Sequence, residues 1–198
     1  MNVRHLTASD YVVQAWKNGG GITTQIAVGA GGDRWSWRAS IADVAQSGPF
    51  SDFAGYDRII MLMEGDGMLL SFDSLPARRI DAPFRPFAFD GATKTDCRLL
   101  GGPVRDLNLM VDRVYGRGSM VATALDGPIA PVTLHGACDL LHCAAGSVEA
   151  GVAGARICLA AGDTVRIDDG AGMELILSAP AAAATLVHMS VQTHREAR

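Results

Sequence analysis

Residues 58–72 read RIIMLMEGDGMLLSF, two short apolar runs separated by a glycine-containing turn. Apolar runs this short are typical of β-strands, because helices need longer segments. Gly65 and Gly67 can adopt the positive φ angles that tight hairpin turns demand. The stretch therefore predicts a β-hairpin, with strands over Arg58–Met63 and Met68–Phe72, and it favours an all-β chain.

The rest of the chain repeats this pattern, with 23 glycines that punctuate short apolar segments. Trp35–Ile41 and Asp106–Asp112 alternate with the period of two that a strand requires, and Arg38 and Ser40 lie on the face opposite Trp37. No segment of useful length has a helical period, and Val121–Leu125 is too short to assign. Further strands are predicted over Pro83–Phe89, Cys97–Leu100, Asp139–Cys143, Ser147–Val152, Ala155–Leu159, Thr164–Ile167, Glu174–Leu177 and Ala184–Val191.

The chain divides into two halves of similar strand content, and the proline-containing stretch Gly127–Pro131 lies between them as a linker. Short strands joined by glycine turns suit small antiparallel barrels. We therefore expect two barrels packed as one globular unit, an N-terminal barrel over residues 1–126 with a ligand pocket and a C-terminal barrel over residues 127–198.

Composition restricts the class of partner. The net charge of −4 argues against the concentrated basic surface that nucleic-acid binding requires. The most apolar tract, Ala179–Val187, is about half as long as a membrane helix, and the first residues lack the apolar run of a secretory signal. Four cysteines without a CxxC pair favour buried free thiols. These features predict a cytoplasmic protein with no nucleic-acid or membrane partner.

The histidines lack the His-x-His pattern with which barrels of the cupin kind often hold a metal. His135 and His142 would face opposite sides of one strand. His188 and His194 would lie roughly 20 Å apart on another, whereas metal–nitrogen bonds are about 2 Å long. The glycine-rich segments lack a P-loop lysine and the helix of a dinucleotide site. We expect no metal and no cofactor, although a metal site assembled from separate strands stays open.

The segment Trp16–Thr23, WKNGGGIT, is the strongest pointer to a site. Three successive glycines let a ligand approach the main chain, and their amides could line an anion-binding concavity. The alternative is a flexible turn, which is the commoner role of such a run. The flanking Trp16 and Asn18 favour a site, because an aromatic anchor offsets the entropy of ordering the loop. Arg38 could bind a carboxylate if its face of the strand points into a barrel, or face solvent if it does not.

Four segments, taken in order, resemble the motifs of the HutD/Ves family over about the first 115 residues: Trp16–Thr23, Trp37–Ala42, Ser47–Arg58 and Asp106–Met110. The resemblance implies a bicupin, two double-stranded β-helix barrels of the RmlC-like cupin type in one chain, without the usual metal ligands. It also implies a link to bacterial histidine utilisation, in which family members are thought to bind a metabolite such as N-formylglutamate and moderate the pathway. The Ves branch is linked instead to stress.

These observations favour a metal-free, non-enzymatic protein that binds a small anionic metabolite. Its carboxylate would lie on Arg38 and the glycine amides, with neutral hydrogen bonds and aromatic walls around it. The predicted ligand-binding residues are Trp16, Asn18, Gly19, Gly20, Gly21, Trp37, Arg38, Ser40, Phe50, Arg58, Asp106 and Asn108.

Two other functions stay open. A metal-free isomerase or hydrolase acting on a small carboxylate could use Asp106 or Asp52 as its general base, provided that burial raises the pKa of that carboxyl. An interaction protein could use the barrels as a scaffold. A homodimer is also possible, because cupin-like sheets often pair across subunits.

Overall fold

The computed structural model describes residues 1–127, 131–152, 154–180 and 182–194, and their regular structure consists of β-strands and one 3-10 helix at Ala8–Asp10. The all-β prediction is therefore confirmed. Residues 128–130 of the expected linker lie outside the described residues. The strands of the first part of the chain are Asn2–Leu6 (β1), Val12–Ala15 (β2), Gly21–Gly29 (β3), Trp37–Val44 (β4), Gly48–Pro49 (β5), Tyr56–Glu64 (β6), Met68–Phe72 (β7), Arg78–Ile80 (β8), Pro86–Asp90 (β9), Thr95–Leu99 (β10) and Val104–Asp112 (β11).

The second part of the chain carries eight further strands in the described residues. They are Gly116–Leu125 (β12), Val132–Thr133 (β13), Cys138–Ala145 (β14), Ser147–Val152 (β15), Ala155–Ala160 (β16), Thr164–Asp168 (β17), Glu174–Ser178 (β18) and Ala184–Thr193 (β19). Most agree with the predicted segments within one or two residues. Strand β12 covers the segment that was too short to assign, and β1, β2, β3, β5, β8 and β13 were not predicted.

One compact unit comprises Tyr11–Gly118. It contains a six-stranded antiparallel sheet in the order β2-β3-β4-β11-β6-β9 and a four-stranded sheet in the order β5-β10-β7-β8. An apolar core of the unit draws on both sheets, with Ile60 and Leu62 from β6 and Met68 and Leu70 from β7.

The other unit comprises Met1–Asp10 together with the chain from Ser119 onward. Its sheets have the orders β1-β17-β14-β19-β12 and β13-β18-β15-β16. We expected one boundary, between residues 126 and 127. This division instead has two, one after Asp10 and one after Gly118. Strand β1 pairs along β17, with Val3 opposite Ile167, and β12 is the strand next to β19. Hydrogen bonding therefore assigns the first strand of the chain to the unit that is mostly C-terminal.

The predicted hairpin over residues 58–72 is wrong in its pairing, although both strands exist. Strand β6 pairs with β11 and β9 in one sheet, and β7 pairs with β10 and β8 in the other. The turn between them carries the chain from one sheet to the next. Gly65 and Gly67 both have positive φ angles, 98° and 96°, so the glycines serve the crossing instead of a hairpin.

All four cysteines are free, as predicted, but they are not all buried. Cys97, Cys138 and Cys143 are buried, whereas Cys158 is exposed because it lies on the outward face of β16.

Candidate ligand-binding site

Three neighbouring strands, β4, β11 and β6, form the floor of the candidate site at the centre of the six-stranded sheet. Their antiparallel register aligns the side chains of one face into three rows that run across the strands. From one end of the strands to the other, the rows are Arg38, Met110 and Arg58; then Ser40, Asn108 and Ile60; then Ala42, Asp106 and Leu62. The polar side chains that the alternation of β4 and β11 predicted on one face of each strand are thus neighbours on adjacent strands.

A cavity of about 460 Å³ lies over these rows. Its floor comes from β4, β6 and β11, and its rim comes from the segments at residues 14–18 and 49–53. The lining residues are Gln14, Ala15, Trp16, Lys17, Asn18, Thr23, Arg38, Ser40, Ala42, Val44, Pro49, Phe50, Ser51, Phe53, Arg58, Asp106, Asn108 and Met110. The face of Arg38 therefore points into the cavity and not to bulk solvent.

Two arginines without an acidic partner dominate the charge of the cavity. Arg58 is only 6% exposed, and Arg38 is half-buried. Among the residues that the structure describes, neither guanidinium forms an ion pair, and the Nε atoms of both are buried without a hydrogen-bond partner. The Nη2 of Arg38 lies 3.8 Å from the sulfur of Met110, a weak acceptor. Both charges thus lack the partner that a buried cation ordinarily has.

Aromatic rings partly compensate the two arginine charges. The ring centroid of Phe53 is almost equally far from the two arginines. It lies 5.4 Å from the guanidinium carbon of Arg38 and 5.3 Å from that of Arg58. Arg38 also lies 4.9 Å from the ring of Trp35, and Arg58 lies 5.2 Å from Phe50. Such cation–π contacts contribute about 0.5–2 kcal/mol each and leave the N–H groups available to a ligand.

Burial is the main influence on the ionisation of these arginines. It lowers the pKa of Arg38, and it lowers the pKa of Arg58 to about 10 although Asp106 opposes the shift. Arginine with a pKa near 10 is still protonated at neutral pH. The cavity therefore keeps two positive charges close to the ring of Phe53.

Asp106 and Asn108 are the next polar side chains of the cavity, with Asn108 one row and Asp106 two rows away from the arginines. Asp106 is 1% exposed and Asn108 is 5% exposed. The Nδ2 of Asn108 donates to Oδ1 of Asp106, and Oδ2 of Asp106 and Oδ1 of Asn108 are buried without a hydrogen-bond partner among the described residues. Burial raises the pKa of Asp106 to about 7, an effect that the hydrogen bond from Asn108 and the charge of Arg58 reduce. Near neutral pH this carboxyl can hold or release a proton.

The triple-glycine segment follows the rim residues 14–18 and does not itself line the cavity. The N–H of Gly19 donates to the carbonyl of Trp16 at 3.0 Å, and the N–H of Gly20 donates to Oδ1 of Asn18 at 3.0 Å. Gly19 and Gly21 line a separate surface groove. The expectation that glycine amides hold the carboxylate is therefore not supported by their position, because two of the three already have acceptors within the loop.

Gly21 is required for packing of the rim. A Cβ atom at this position would lie 2.5 Å from the carbonyl oxygen of Asp43 and 3.1 Å from the ring of Trp16. The indole N–H of Trp16 donates to Oγ1 of Thr23 at 2.8 Å, which fixes the ring at the cavity. The missing side chain of Gly21 thus leaves room for the ring of Trp16 beside the start of β3.

We expect Gly21→Ala to destabilise the protein by about 1–3 kcal/mol, because the new methyl group cannot fit beside the backbone of Asp43 without displacing Trp16. Urea unfolding followed by tryptophan fluorescence measures both the stability and the environment of the indole. Gly102→Ala is the matched control, since nothing lies within 4 Å of the methyl group it would add. Equal stability of the two variants would contradict this account of the rim.

Most of the residues predicted to bind the ligand lie on the cavity wall, but four do not. Gly19, Gly20 and Gly21 are absent from the wall for the reasons given above. Trp37 is 1% exposed and lies on the opposite face of β4, where its indole packs against the backbone of Gly29. The residues that the structure brings together are Trp16, Asn18, Arg38, Ser40, Phe50, Arg58, Asp106 and Asn108.

Sequence reasoning missed several wall residues. Phe53 lies in the segment Ser47–Arg58, and its proximity to both arginines depends on tertiary structure. Met110 shares the alternating face of Asp106 and Asn108, so the period of two could have identified it. Asp52, a candidate general base, is exposed, and its Oδ1 accepts a hydrogen bond from the N–H of Ala54 at 2.8 Å instead of facing the cavity.

The described part of the chain contains no group of three or more histidine, cysteine, aspartate or glutamate side chains arranged to hold a metal ion. No histidine among the described residues lines the cavity. Within the same ranges, none of the helices has the length and apolar character that crossing a membrane would take.

Comparison with known proteins gives the family. A sequence model described as HutD matches residues 8–185 of the chain. A relative from Pseudomonas putida, described as an uncharacterized 21.2 kDa protein in the hutC 3' region, is 51% identical over 107 residues. That match covers 53% of this chain and 56% of the relative, so the chain spans little more than half the length of this curated relative.

Solved structures give the fold. A conserved protein of unknown function from Pseudomonas aeruginosa PAO1 has a TM-score of 0.86 and 33% identity, covering 98% of this chain and 100% of that one. HutD from Pseudomonas fluorescens SBW25 has a TM-score of 0.79 and 32% identity, covering 96% and 100%. A cupin 2 conserved barrel domain protein from Leptotrichia buccalis, at 10% identity and a TM-score of 0.57 over 87% and 89%, shows the cupin fold alone. The cupin prediction and the resemblance drawn from four sequence segments are both confirmed: the chain belongs to the HutD family.

Proposed function

We propose that this protein binds a small anionic metabolite of histidine degradation, such as N-formylglutamate, without a metal, and that binding moderates the pathway. The observation that supports it is the pair of cavity arginines, neither of which forms an ion pair with an acidic side chain in the described parts of the chain. A buried cation left unpaired is costly, and a ligand carboxylate would remove that cost through two parallel N–H···O bonds.

The chemistry of the cavity fits such a ligand. N-formylglutamate carries two carboxylates and one neutral formamide, and the cavity carries two guanidinium groups with the neutral side chains of Ser40 and Asn108 in the next row. Ser40 and Asn108 would orient the neutral part, and Trp16 and Phe50 would cover the ligand from the rim. The family assignment and the relative in the hutC region support histidine degradation as the source of the ligand.

Thermal unfolding tests the proposal. N-formyl-L-glutamate at about 100 times its Kd should raise the Tm by roughly 5 °C or more, since such saturation is worth about 2.7 kcal/mol. Glutamate and urocanate, which lack the formamide or the second carboxylate, should raise it less. Arg38→Met should remove the shift, whereas Arg98→Met, at an exposed arginine of β10 outside the cavity, should retain it. No shift with any of the three compounds at millimolar concentration would reject the proposed function.

One observation favours a second candidate, a metal-free enzyme acting on a small carboxylate. Asp106 lies in the cavity, and burial raises its pKa to about 7, which is suitable for a general acid or base at neutral pH. Following N-formyl-L-glutamate by proton NMR in the presence of the protein separates the two functions. Turnover that Asp106→Asn abolishes would favour the enzyme, and an unchanged spectrum would favour the binding protein.

A further inference from the structure

A tryptophan outside the cavity packs against one of the two cavity arginines. The ring centroid of Trp35 lies 4.9 Å from the guanidinium carbon of Arg38, closer than that of Phe53 at 5.4 Å. Phe53 belongs to the cavity wall, whereas Trp35 is not among the residues that line the cavity. A ligand in the cavity therefore need not displace the ring of Trp35 to reach Arg38.

Two contacts with Tyr56 hold Trp35, which lies two residues before β4. The hydroxyl of Tyr56 donates to the backbone carbonyl of Trp35 at 2.8 Å, and the centroids of the two rings are 4.0 Å apart. Tyr56, the first residue of β6, is 5% exposed. Burial raises the pKa of its hydroxyl, which therefore remains a donor at neutral pH. These contacts fix both the main chain and the ring of Trp35.

An ion pair fastens the same segment to the end of β11. Nη2 of Arg34 lies 2.7 Å from Oδ2 of Asp112, the last residue of that strand. The guanidinium carbon of Arg34 also lies 4.9 Å from the ring centroid of Tyr56. Gly55 leaves room for this arginine, because a Cβ atom there would lie 3.1 Å from Nη1 of Arg34. The residue before Trp35 is thus held by charge and by the same tyrosine.

Arg38 needs such support because little else holds its guanidinium in one orientation. Its Nε is buried without a hydrogen-bond partner among the described residues, and the sulfur of Met110 is a weak acceptor for its Nη2. Immobilising a long side chain when a ligand binds lowers the affinity by about three- to tenfold. A ring packed against the guanidinium restricts the side chain beforehand and leaves its N–H groups for the ligand.

We propose that Trp35 is a positioning residue that holds the guanidinium of Arg38 ready for a carboxylate, and that Tyr56 and Arg34 keep Trp35 in place. The expected effect on affinity rests on the anion-binding function proposed above, whereas the order of the arginine side chain is independent of any ligand. Arg58 is outside this arrangement, since its ring contacts among the described residues are to phenylalanines.

Nitrogen-15 relaxation of the Nε–H groups measures the positioning in the unliganded protein, with the Arg38 signal assigned by its loss in Arg38→Lys. On a scale where a rigid group has an order parameter of about 0.85 and a flexible one a value below about 0.6, wild-type Arg38 should be rigid and Arg38 in Trp35→Leu flexible. Trp35→Phe is the matched control, because it keeps an aromatic ring and should keep Arg38 rigid. Arg58 should be rigid in all three proteins.

Isothermal titration calorimetry with N-formyl-L-glutamate measures the effect on binding. The Kd should rise about three- to tenfold in Trp35→Leu and stay within about twofold of the wild type in Trp35→Phe. Urea unfolding checks that each variant is folded. If Trp35→Leu does not fold, Tyr56→Phe replaces it, because this change removes one oxygen atom and the hydrogen bond to Trp35. It should lower the order parameter of Arg38 and raise the Kd about twofold or more.

The two measurements separate the positioning role from the function on which it rests. An Arg38 side chain that is flexible in the wild type, or equally rigid in Trp35→Leu, overturns the role of Trp35 whether or not a ligand binds. Equal Kd values for Trp35→Leu and Trp35→Phe also overturn it, because the aromatic ring would then be dispensable. Wild-type protein that does not bind the compound, while the order of Arg38 still depends on Trp35, rejects the anion-binding function and retains the positioning of the guanidinium.

Discussion

Arg58→Met should stabilise the unliganded protein and abolish its ligand binding. Arg58 is 6% exposed, has no ion-pair partner among the described residues and touches the rings of Phe50, Phe53 and Phe89. Replacing a desolvated charge by an apolar side chain of similar length removes the cost of burying it, which is on the order of 1–3 kcal/mol. The same change deletes a charge-assisted pair with the ligand, so the Kd should rise about 100-fold or more.

Urea unfolding without ligand and calorimetry with N-formyl-L-glutamate measure the two effects separately. Arg98→Met is the control, because Arg98 is exposed on β10 and both quantities should stay near their wild-type values. A less stable Arg58→Met protein would mean that the aromatic contacts stabilise the cation more than burial destabilises it. Retained affinity in that variant would remove Arg58 from the binding site.

Asp106→Asn should stabilise the protein at neutral pH and have little effect in acid. In the folded state burial raises the pKa of Asp106 to about 7, from an ordinary value of 3.8. Between these values the folded protein keeps a proton that the unfolded chain releases, so the stability contributed by this group is present below pH 4 and is lost as the pH rises towards 7. The lost stability amounts to roughly 4 kcal/mol, at about 1.4 kcal/mol for each unit of pKa difference.

The difference in unfolding free energy between Asp106→Asn and the wild type isolates this group from all others that titrate. We expect the difference to grow from pH 4 to pH 7 and to be constant above pH 7.5. Urea unfolding in a series of buffers measures it, and Asp52→Asn, at an exposed residue, should show no such trend. A difference that is already constant between pH 4 and pH 7 would mean that Asp106 has an ordinary pKa.

The alternation of β4 and β11 made half of this site predictable. A period of two assigns Arg38 and Ser40 to one face and Asp106 and Asn108 to another single face without any knowledge of tertiary structure. It does not determine whether a polar face points to solvent or into a barrel, because both arrangements give the same pattern. The segments at residues 14–18 and 49–53, which form the rim of the cavity over this face, decide it, and their position depends on contacts between distant parts of the chain.

The roles of the glycines could not be predicted, because the same local sequence is compatible with two different structures. The turn at Gly65 and Gly67 predicts a reversal of the chain, but a turn inside a hairpin and a turn between two sheets use the same positive φ angles. At Gly21 the local sequence is compatible with two roles. The backbone amide could bind a ligand, or the absence of a side chain could let the ring of Trp16 approach the main chain closely. Only the position of Asp43 and Trp16 within 3.1 Å of the missing side chain distinguishes them.

In the three central strands of the first unit, even-numbered and odd-numbered residues lie on opposite faces of the sheet. Even-numbered residues from 38 to 44, 58 to 62 and 104 to 110 face the cavity and the apolar core beneath it, whereas odd-numbered Trp37, Leu107 and Leu109 are buried on the other face. Substitutions at the polar even-numbered positions of the cavity, such as Arg38, Ser40 and Asn108, can thus change which molecule is held without altering the odd-numbered layer on the other face. A family built on this arrangement could acquire new ligands one row at a time while its fold stays the same.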